Sequence, residues 1–464
     1  MQNTTGPYPL SGVKMPSWLI RFDSEGVCTS PQTRALLLDQ IRSAPPTDIV
    51  VFSHGWNNDF GHAAGMSAEL MRHFESHCAA HAPGRPFAPL FVGVLWPSIW
   101  LSFDEGPAIA SGGLGGTGAP EAVVAVLADR LAAAGGASGL DRVFALLAAP
   151  SINDAEAAEL ARLIAPAFGL ITDEGAAAEG RNTVAEDVLV MMRAMDATKP
   201  RKQSRAGIDS DDISRPAGSG RASPGMAAPQ AASGLGGLDP RIALRVFSLY
   251  QMKDRAGTVG FGGVSALLRD LLAVPAGTQS AAQARIHAVG HSFGCKVLLS
   301  AICAQPLPRP VASLLLLQPA VSHLAFAKAV PGTGQPGGYC MALSAERVSP
   351  PIISTYSRHD RALHDAFHLA VRRAADLGEA QIAGDADFTS AGRPPSRYAA
   401  LGGYGPRGAE QRLIDPMPAA GDTPPLPWQD APILALDGST GQINGHGDVT
   451  NAGVAWTLHQ MVFR

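Results

Sequence analysis

Two hydrophobic patterns alternate along much of this chain. Short unbroken apolar runs, bounded by Gly, Pro, Asn or Asp, are followed by stretches in which apolar residues recur every three or four positions. The first pattern is that of strands buried on both faces, the second that of helices packed along one side. Trp18–Phe22, Ile49–Phe52 and Phe91–Leu95 are predicted as strands. Residues 30–43, with Ser30 placed to cap the helix, and 63–77 are predicted as the helices between them. From about Arg241 the alternation resumes. Residues 262–275, 295–304, 361–377 and 450–463 carry the helical pattern, and 284–290, 311–320, 350–360 and 431–439 the strand pattern. Strands alternating with helices imply a mostly parallel central sheet with helices on both faces, an α/β fold.

The pattern breaks between these two blocks. Residues 101–197 contain Ala-rich helical stretches, and 198–240 are rich in Ser, Gly, Pro and charge with no aromatic residue. The expected organisation is therefore 1–100 and 241–464 as two parts of one domain, with 101–197 as a helical insertion. Residues 198–240 are expected to be disordered, since they cannot bury enough apolar area to offset their ordering entropy. The Leu, Val and Met content of 101–197 suits a lid over an apolar pocket or the packing of an inserted subdomain. The glycine-dense segment 250–263, "YQMKDRAGTVGFGG", is read as a structured loop near the mouth of the site.

Composition narrows the class. A chain of 464 residues that is 46% hydrophobic and 16% charged can bury a large core. A net charge of -4 gives no reason to expect nucleic acid or an acidic membrane surface as partner. Cys28, Cys78, Cys295, Cys303 and Cys340 are scattered, with no C-x-x-C, so neither a disulfide framework nor a zinc site is expected. No leader pattern and no membrane-spanning apolar stretch is visible, and a cytoplasmic protein is expected.

The candidate chemistry lies where a strand meets a helix. Gly290-His291-Ser292-Phe293-Gly294 is a G-x-S-x-G pattern between the strand 284–290 and the helix 295–304. That context marks a sharp turn that lifts a serine hydroxyl clear of the sheet at a helix N-terminus. A serine needs a base to take its proton and an acid to orient the base, in the chain order Ser, acid, His. Asp360 directly follows a strand, and His446 lies in a Gly-rich loop after the last one. The other acids weighed are Asp365, Asp385, Asp387, Asp437 and Asp448; the other bases are His359, His364 and His459. His291, inside the turn, is expected to pack or hydrogen-bond rather than act as the base. His364 and His368 have H-x-x-x-H spacing, but Asp365 stands where a zinc protease needs Glu, so no metal site is expected. Backbone N–H groups of Phe293 and Trp56 are the expected oxyanion donors, the latter from the strand end "SHGWNND", Ser53–Asp59. His54, Gly55 and His291 are expected on the substrate side, with Asn57 and Asn58 bracing the loop.

With "SHGWNND", "GHSFG", "YSRHDRAL" (Tyr356–Leu363) and "GHGD" (Gly445–Asp448), the chain resembles the α/β-hydrolase superfamily. More narrowly, it resembles bacterial serine hydrolases with this strand end. The resemblance covers about residues 15–100 and 241–464. It implies a Ser292–His446–Asp360 triad with an oxyanion hole and no cofactor. The expected activity is cleavage of a small-molecule or lipid carboxylic ester. A thioesterase, amidase or peptidase using the same triad, or a non-catalytic binding relative, are the alternatives.

Overall fold

The computed structural model describes residues 5–56, 58–81, 84–98, 127–129, 131–132, 139–168, 188–189, 192–193, 237–275, 283–367, 393–394, 396, 398–422, 426–428 and 431–464. Its centre is one eight-stranded sheet in the order β1-β3-β2-β4-β5-β6-β8-β7. The strands are β1 (Ser17–Arg21), β2 (Asp48–Ser53), β3 (Pro89–Leu95), β4 (Arg285–His291), β5 (Ser313–Leu317), β6 (Ile352–Tyr356), β7 (Arg412–Ile414) and β8 (Ile433–Asp437). Every pairing is parallel.

Parallel strands need crossovers, and the helices provide them on both faces. Along β2, Val50 and Phe52 face one layer and Ile49 and Val51 the other, all buried. The first layer holds α2 (Phe60–Ala80) and the C-terminal helix Ala452–Phe463. The second holds α1 (Pro31–Ser43), the helical run from Arg241 to Ala273 and the helix Phe293–Ala304. Two helices between β3 and β4, α3 (Leu140–Ala148) and α4 (Asp154–Ile164), bury Leu146, Leu147, Leu160 and Ile164 in the same cluster. Their neighbour there is α5 (Arg241–Val259), which contributes Ile242, Val246 and Phe247. No helix among the described residues is long and apolar enough to cross a membrane.

All seven strands expected from the sequence appear within a few residues of their predicted bounds. The eighth, β7, escapes a hydrophobic criterion because it has three residues and its Leu413 is 50% exposed. The segment 250–263 is not a loop. It continues α5, passes through a π-turn at Gly260–Val264 and runs on into α6 (Ser265–Ala273). Its glycines serve close packing: a Cβ on Gly260 would lie 2.3 Å from the Val297 carbonyl oxygen, and one on Gly263 2.0 Å from that of Gly26. Ser30 occupies the N-cap of α1, but its hydroxyl accepts the Arg21 N–H at 2.8 Å instead of capping. Most of the segment expected to be disordered, 198–236, lies outside the described residues. Its end does not: Leu238 pairs antiparallel with Ile152 and is buried.

At the N-terminal ends of the strands sits a buried carboxylate, Asp48. It accepts from both Arg85 terminal nitrogens (2.8 and 2.9 Å), from Arg285 Nε (3.0 Å), from His287 Nε2 (3.0 Å) and from Thr47 Oγ1 (2.6 Å). Burial pushes its pKa up, but His287, Thr47 and Arg85 outweigh that and hold it below the ordinary carboxylate value. A depressed folded pKa contributes stability above the unfolded pKa, lost as pH falls through the folded one. Asp48→Ala strands two arginines and should cost about 3–5 kcal/mol. Thermal and urea unfolding at pH 7 measure the loss, which should shrink in acid as the wild-type carboxyl protonates.

Candidate active site

The C-terminal strand ends carry the candidate chemistry. β4 ends at His291, and the helix α7 (Phe293–Ala304) begins two residues later, which leaves Ser292 to make the whole turn. Its backbone is left-handed, with φ 56 and ψ -122. For a residue with a side chain this costs about 1–3 kcal/mol, so surrounding structure must impose it. The glycines on either side show what does. A Cβ on Gly294 would stand 2.1 Å from the Ser53 carbonyl oxygen, and one on Gly290 2.8 Å from the Cys295 backbone. The first turn of α7 therefore lies directly on the end of β2.

His446 and Asp360 reach this turn from two later loops. His446 Nδ1 is 2.8 Å from Asp360 Oδ2, and His446 Nε2 is 2.8 Å from Ser292 Oγ. An ionised carboxylate only accepts, so the imidazole proton sits on Nδ1. Nε2 then presents a lone pair, and the Ser292 hydroxyl donates to it. Asp360 is fully buried. Burial raises its pKa, but the His446 ring and the donors Gln318 Nε2 and Leu363 N–H bring it below the ordinary carboxylate value. For His446 burial works downward, and the Asp360 charge and hydrogen bond overcome it, so its pKa lies above the ordinary histidine value.

The loop of His446 is shaped differently from what its glycines suggest. Neither Gly445 nor Gly447 has a left-handed φ, and a Cβ on either would meet no atom within 4 Å. Asp448 does the shaping. Its Oδ2 accepts the Asn444 backbone N–H at 3.0 Å, its Oδ1 accepts from Asn451 Nδ2 at 2.9 Å, and Asn451 caps the final helix, α9 (Ala452–Phe463). Short α8 (Leu401–Tyr404) accepts from the acid's neighbour: Gln318 Nε2 donates both to Asp360 Oδ2 (2.9 Å) and to the Gly402 carbonyl (3.0 Å). Gln318 is buried, left-handed at φ 43, and receives the Thr355 hydroxyl on Oε1. It is the residue that sequence reasoning missed. Its signal was a lone amide closing the apolar run "LLLLQP".

The loop after β2 completes the arrangement. A Cβ on Gly55 would lie 2.8 Å from Ser292 Cβ, so this backbone rests on the serine. The Gly55 carbonyl oxygen accepts from His54 Nδ1 (2.9 Å) and Asn58 Nδ2 (3.0 Å). Because a trans peptide opposes its C=O and N–H, the Trp56 N–H points away from those two donors. Phe293 is the first residue of α7, where a backbone N–H has no intrahelical acceptor. Among the described residues neither N–H donates a hydrogen bond. His54 itself is turned inward: Nδ1 donates to Gly55, Nε2 accepts the Trp96 N–H at 3.3 Å, and burial lowers its pKa to about 4. It braces the loop and has no polar atom left for a ligand, contrary to its expected place on the substrate side. His291 is likewise buried, its Nε2 donating to the His446 carbonyl at 2.8 Å. Asn58 holds both Gly55 and Trp56 carbonyls, while Asn57 lies outside the described residues.

The other candidates are occupied elsewhere. Asp437 Oδ1 accepts the Ser439 N–H, and His359 Nε2 donates to the Ser439 carbonyl at 2.9 Å. His364 meets the Ser357 carbonyl at 3.3 Å and the Tyr404 ring edge-on. His459 stacks on Trp456, with burial lowering its pKa to about 4. The side chain of Asp365, and His368, Asp385 and Asp387, lie outside the described residues. Among the described residues no group of three or more His, Cys, Asp or Glu is placed to hold a metal ion. A cavity of about 970 Å³ opens near Lys14, Arg72 and Pro89, at the start of β3, far along the sheet from Ser292. Its size carries no chemistry, since none of the candidate site residues lines it. No family model, curated protein or solved structure matches this chain.

The steric account of the turn can be tested without activity. Gly294→Ala must push α7 off β2 and should cost about 1–3 kcal/mol. Gly445→Ala enters open space and should stay within about 0.5 kcal/mol of the parent. Thermal unfolding of the two variants compares them directly; equal melting temperatures would mean that Gly294 is not sterically required.

Proposed function

We propose that this chain is a serine hydrolase of the α/β-hydrolase superfamily that cleaves a carboxylic ester through an acyl-enzyme. The observation that carries the reading is the unbroken relay Ser292 Oγ–His446–Asp360, with both hydrogen bonds at 2.8 Å. In this reading Ser292 attacks the ester carbonyl as His446 Nε2 takes its proton. Asp360 holds the imidazole in the required tautomer and stabilises the imidazolium. The carbonyl oxygen becomes an oxyanion received by the N–H groups of Phe293 and Trp56, at the N-terminus of α7 and on the loop that rests on Ser292. The tetrahedral intermediate collapses, His446 returns the proton to the leaving alcohol, and the acyl group stays on Ser292. Water deprotonated by His446 then releases the acid and restores the serine.

Two measurements test this. Ser292→Ala should lower kcat on p-nitrophenyl acetate by a factor on the order of 10⁶ and abolish labelling by a fluorophosphonate. Asp360→Asn should lower kcat by roughly 10⁴-fold, since the imidazole loses its orienting charge. Unchanged hydrolysis in Ser292→Ala would remove the serine from the mechanism.

The pH dependence has a fixed sign. The base must be neutral, and Asp360 raises the His446 pKa above 6.5. The acid limb of kcat/KM should therefore lie above pH 6.5 and move down in Asp360→Asn. The raised His446 pKa contributes stability that is fully present below the unfolded histidine pKa and fades as pH rises through the folded one, while the depressed Asp360 pKa contributes stability lost as pH falls through its folded value. A limb at or below pH 6.5 in the wild type would contradict the coupling.

A further inference from the structure

The inference rests on the serine-hydrolase reading and concerns a residue outside the triad. His446 is fixed through its ring at both nitrogens, but its main chain needs a separate anchor. The bonds within its loop, from Asp448 to Asn444 and Asn451, set the loop's shape and not its distance from the nucleophile. The flanking Gly445 and Gly447 touch nothing within 4 Å of a Cβ position. Among the described residues one hydrogen bond joins the nucleophile turn to the main chain of 444–448. It runs from His291 Nε2 to the His446 carbonyl oxygen, 2.8 Å.

We propose that His291 is a positioning residue that ties the backbone of the base to the turn carrying the nucleophile. His291 directly precedes Ser292, so the tether acts across the shortest possible stretch of chain. Its other nitrogen lies beside the loop after β2: Nδ1 is 3.0 Å from where a Gly55 Cβ would stand. The one ring thus bonds the main chain of the base, belongs to the nucleophile turn and lies beside the loop of Trp56. An imidazole suits the task because it is rigid and has few rotatable bonds to order. It must also stay neutral, since the His446 ring lies 5.1 Å away, centroid to centroid, and becomes cationic during the reaction. Burial ensures this by lowering the His291 pKa to about 3. The neutral ring carries one proton, which the His446 carbonyl, able only to accept, places on Nε2, and no second positive charge opposes the imidazolium.

Three substitutions separate tethering from bulk. The Gln amide nitrogen can reach the Nε2 position, whereas an Asn amide stops at Nδ1 and Leu has no donor. In His291→Leu and His291→Asn, kcat on p-nitrophenyl acetate and the rate of fluorophosphonate labelling should fall by roughly 10²-fold, with KM unchanged. His291→Gln should recover most of both rates. The downfield ¹H resonance of His446 Nδ1–H, bonded to Asp360, should be sharp in wild type and His291→Gln and broadened in the other two. Melting temperatures identify any variant that fails to fold, and His291→Asn then stands in for His291→Leu. Wild-type rates in His291→Asn, or equal impairment of Gln and Asn, would overturn the tether. If the wild type neither labels nor hydrolyses, the serine-hydrolase reading has failed. The resonance still decides the inference in that case: an unchanged signal in His291→Asn overturns it.

Discussion

The contact on which the site depends is the seating of the first turn of α7 on the carbonyl end of β2. β2 and β4 pair in parallel through Ser53 and Gly290, so the loops that follow them leave the sheet side by side. Only a glycine at 294 lets the helix come down onto Ser53, at an approach of 2.1 Å for any Cβ. That seating leaves one residue to reverse direction between strand and helix, and Ser292 takes the left-handed conformation as a result. Gly55 then closes over the serine from the β2 side. Strain of about 1–3 kcal/mol at one residue is held by the packing of a buried helix, which is many times larger in gross terms.

The sheet buries a carboxylate at each end and balances the two differently. Asp48 is met by two arginines and a histidine, permanent partners that keep its charge matched at all working pH values. Asp360 is met by an amide, a backbone N–H and one imidazole. No arginine or lysine pairs with it among the described residues. The difference has a chemical consequence. A fixed cation beside Asp360 would satisfy the carboxylate and weaken its pull on a proton at His446. With only neutral donors besides the imidazole, the buried charge favours the imidazolium, the state a proton transfer from Ser292 creates.

Much of this was legible in the sequence, for identifiable reasons. Strands buried on both faces are continuous apolar runs, and seven of them stand out whatever their tertiary partners. Ser292, Asp360 and His446 each follow such a run, so strand ends located the three side chains that the fold brings together. Side-chain direction was not legible. His54 has the position of a site residue, yet its ring turns inward, held on one nitrogen by the neighbouring Gly55 carbonyl and on the other by the N–H of Trp96, 42 positions away. Gln318 was passed over because an amide at a strand end looks like a loop residue until Asp360, 42 positions away, is placed against it. The helix through 250–263 was misread on its glycines. The spacing of Leu249, Met252, Ala256 and Val259, all buried, carries the helical period that the glycines obscured. Glycine density marks close approach as readily as it marks turns.

The helices α3 and α4 are linked to the candidate site by a continuous set of contacts. α3 and α4 bury their apolar faces in the cluster that includes α5. From α5, Arg255 donates to the Pro97 carbonyl at 2.7 Å, which fixes the chain just beyond β3. The next residue, Ser98, donates its hydroxyl to the Asn58 carbonyl at 2.9 Å and accepts the Asn58 N–H at 3.1 Å. Asn58 in turn holds the carbonyls of Gly55 and Trp56. The peptide whose N–H we propose for the oxyanion is thus braced from behind, through Ser98 and Arg255, by a helix that α3 and α4 help to bury. A donor preorganised in this way costs no reorganisation when charge develops. α3 and α4 are therefore linked to the candidate site through the packing and hydrogen bonds that hold the loop after β2.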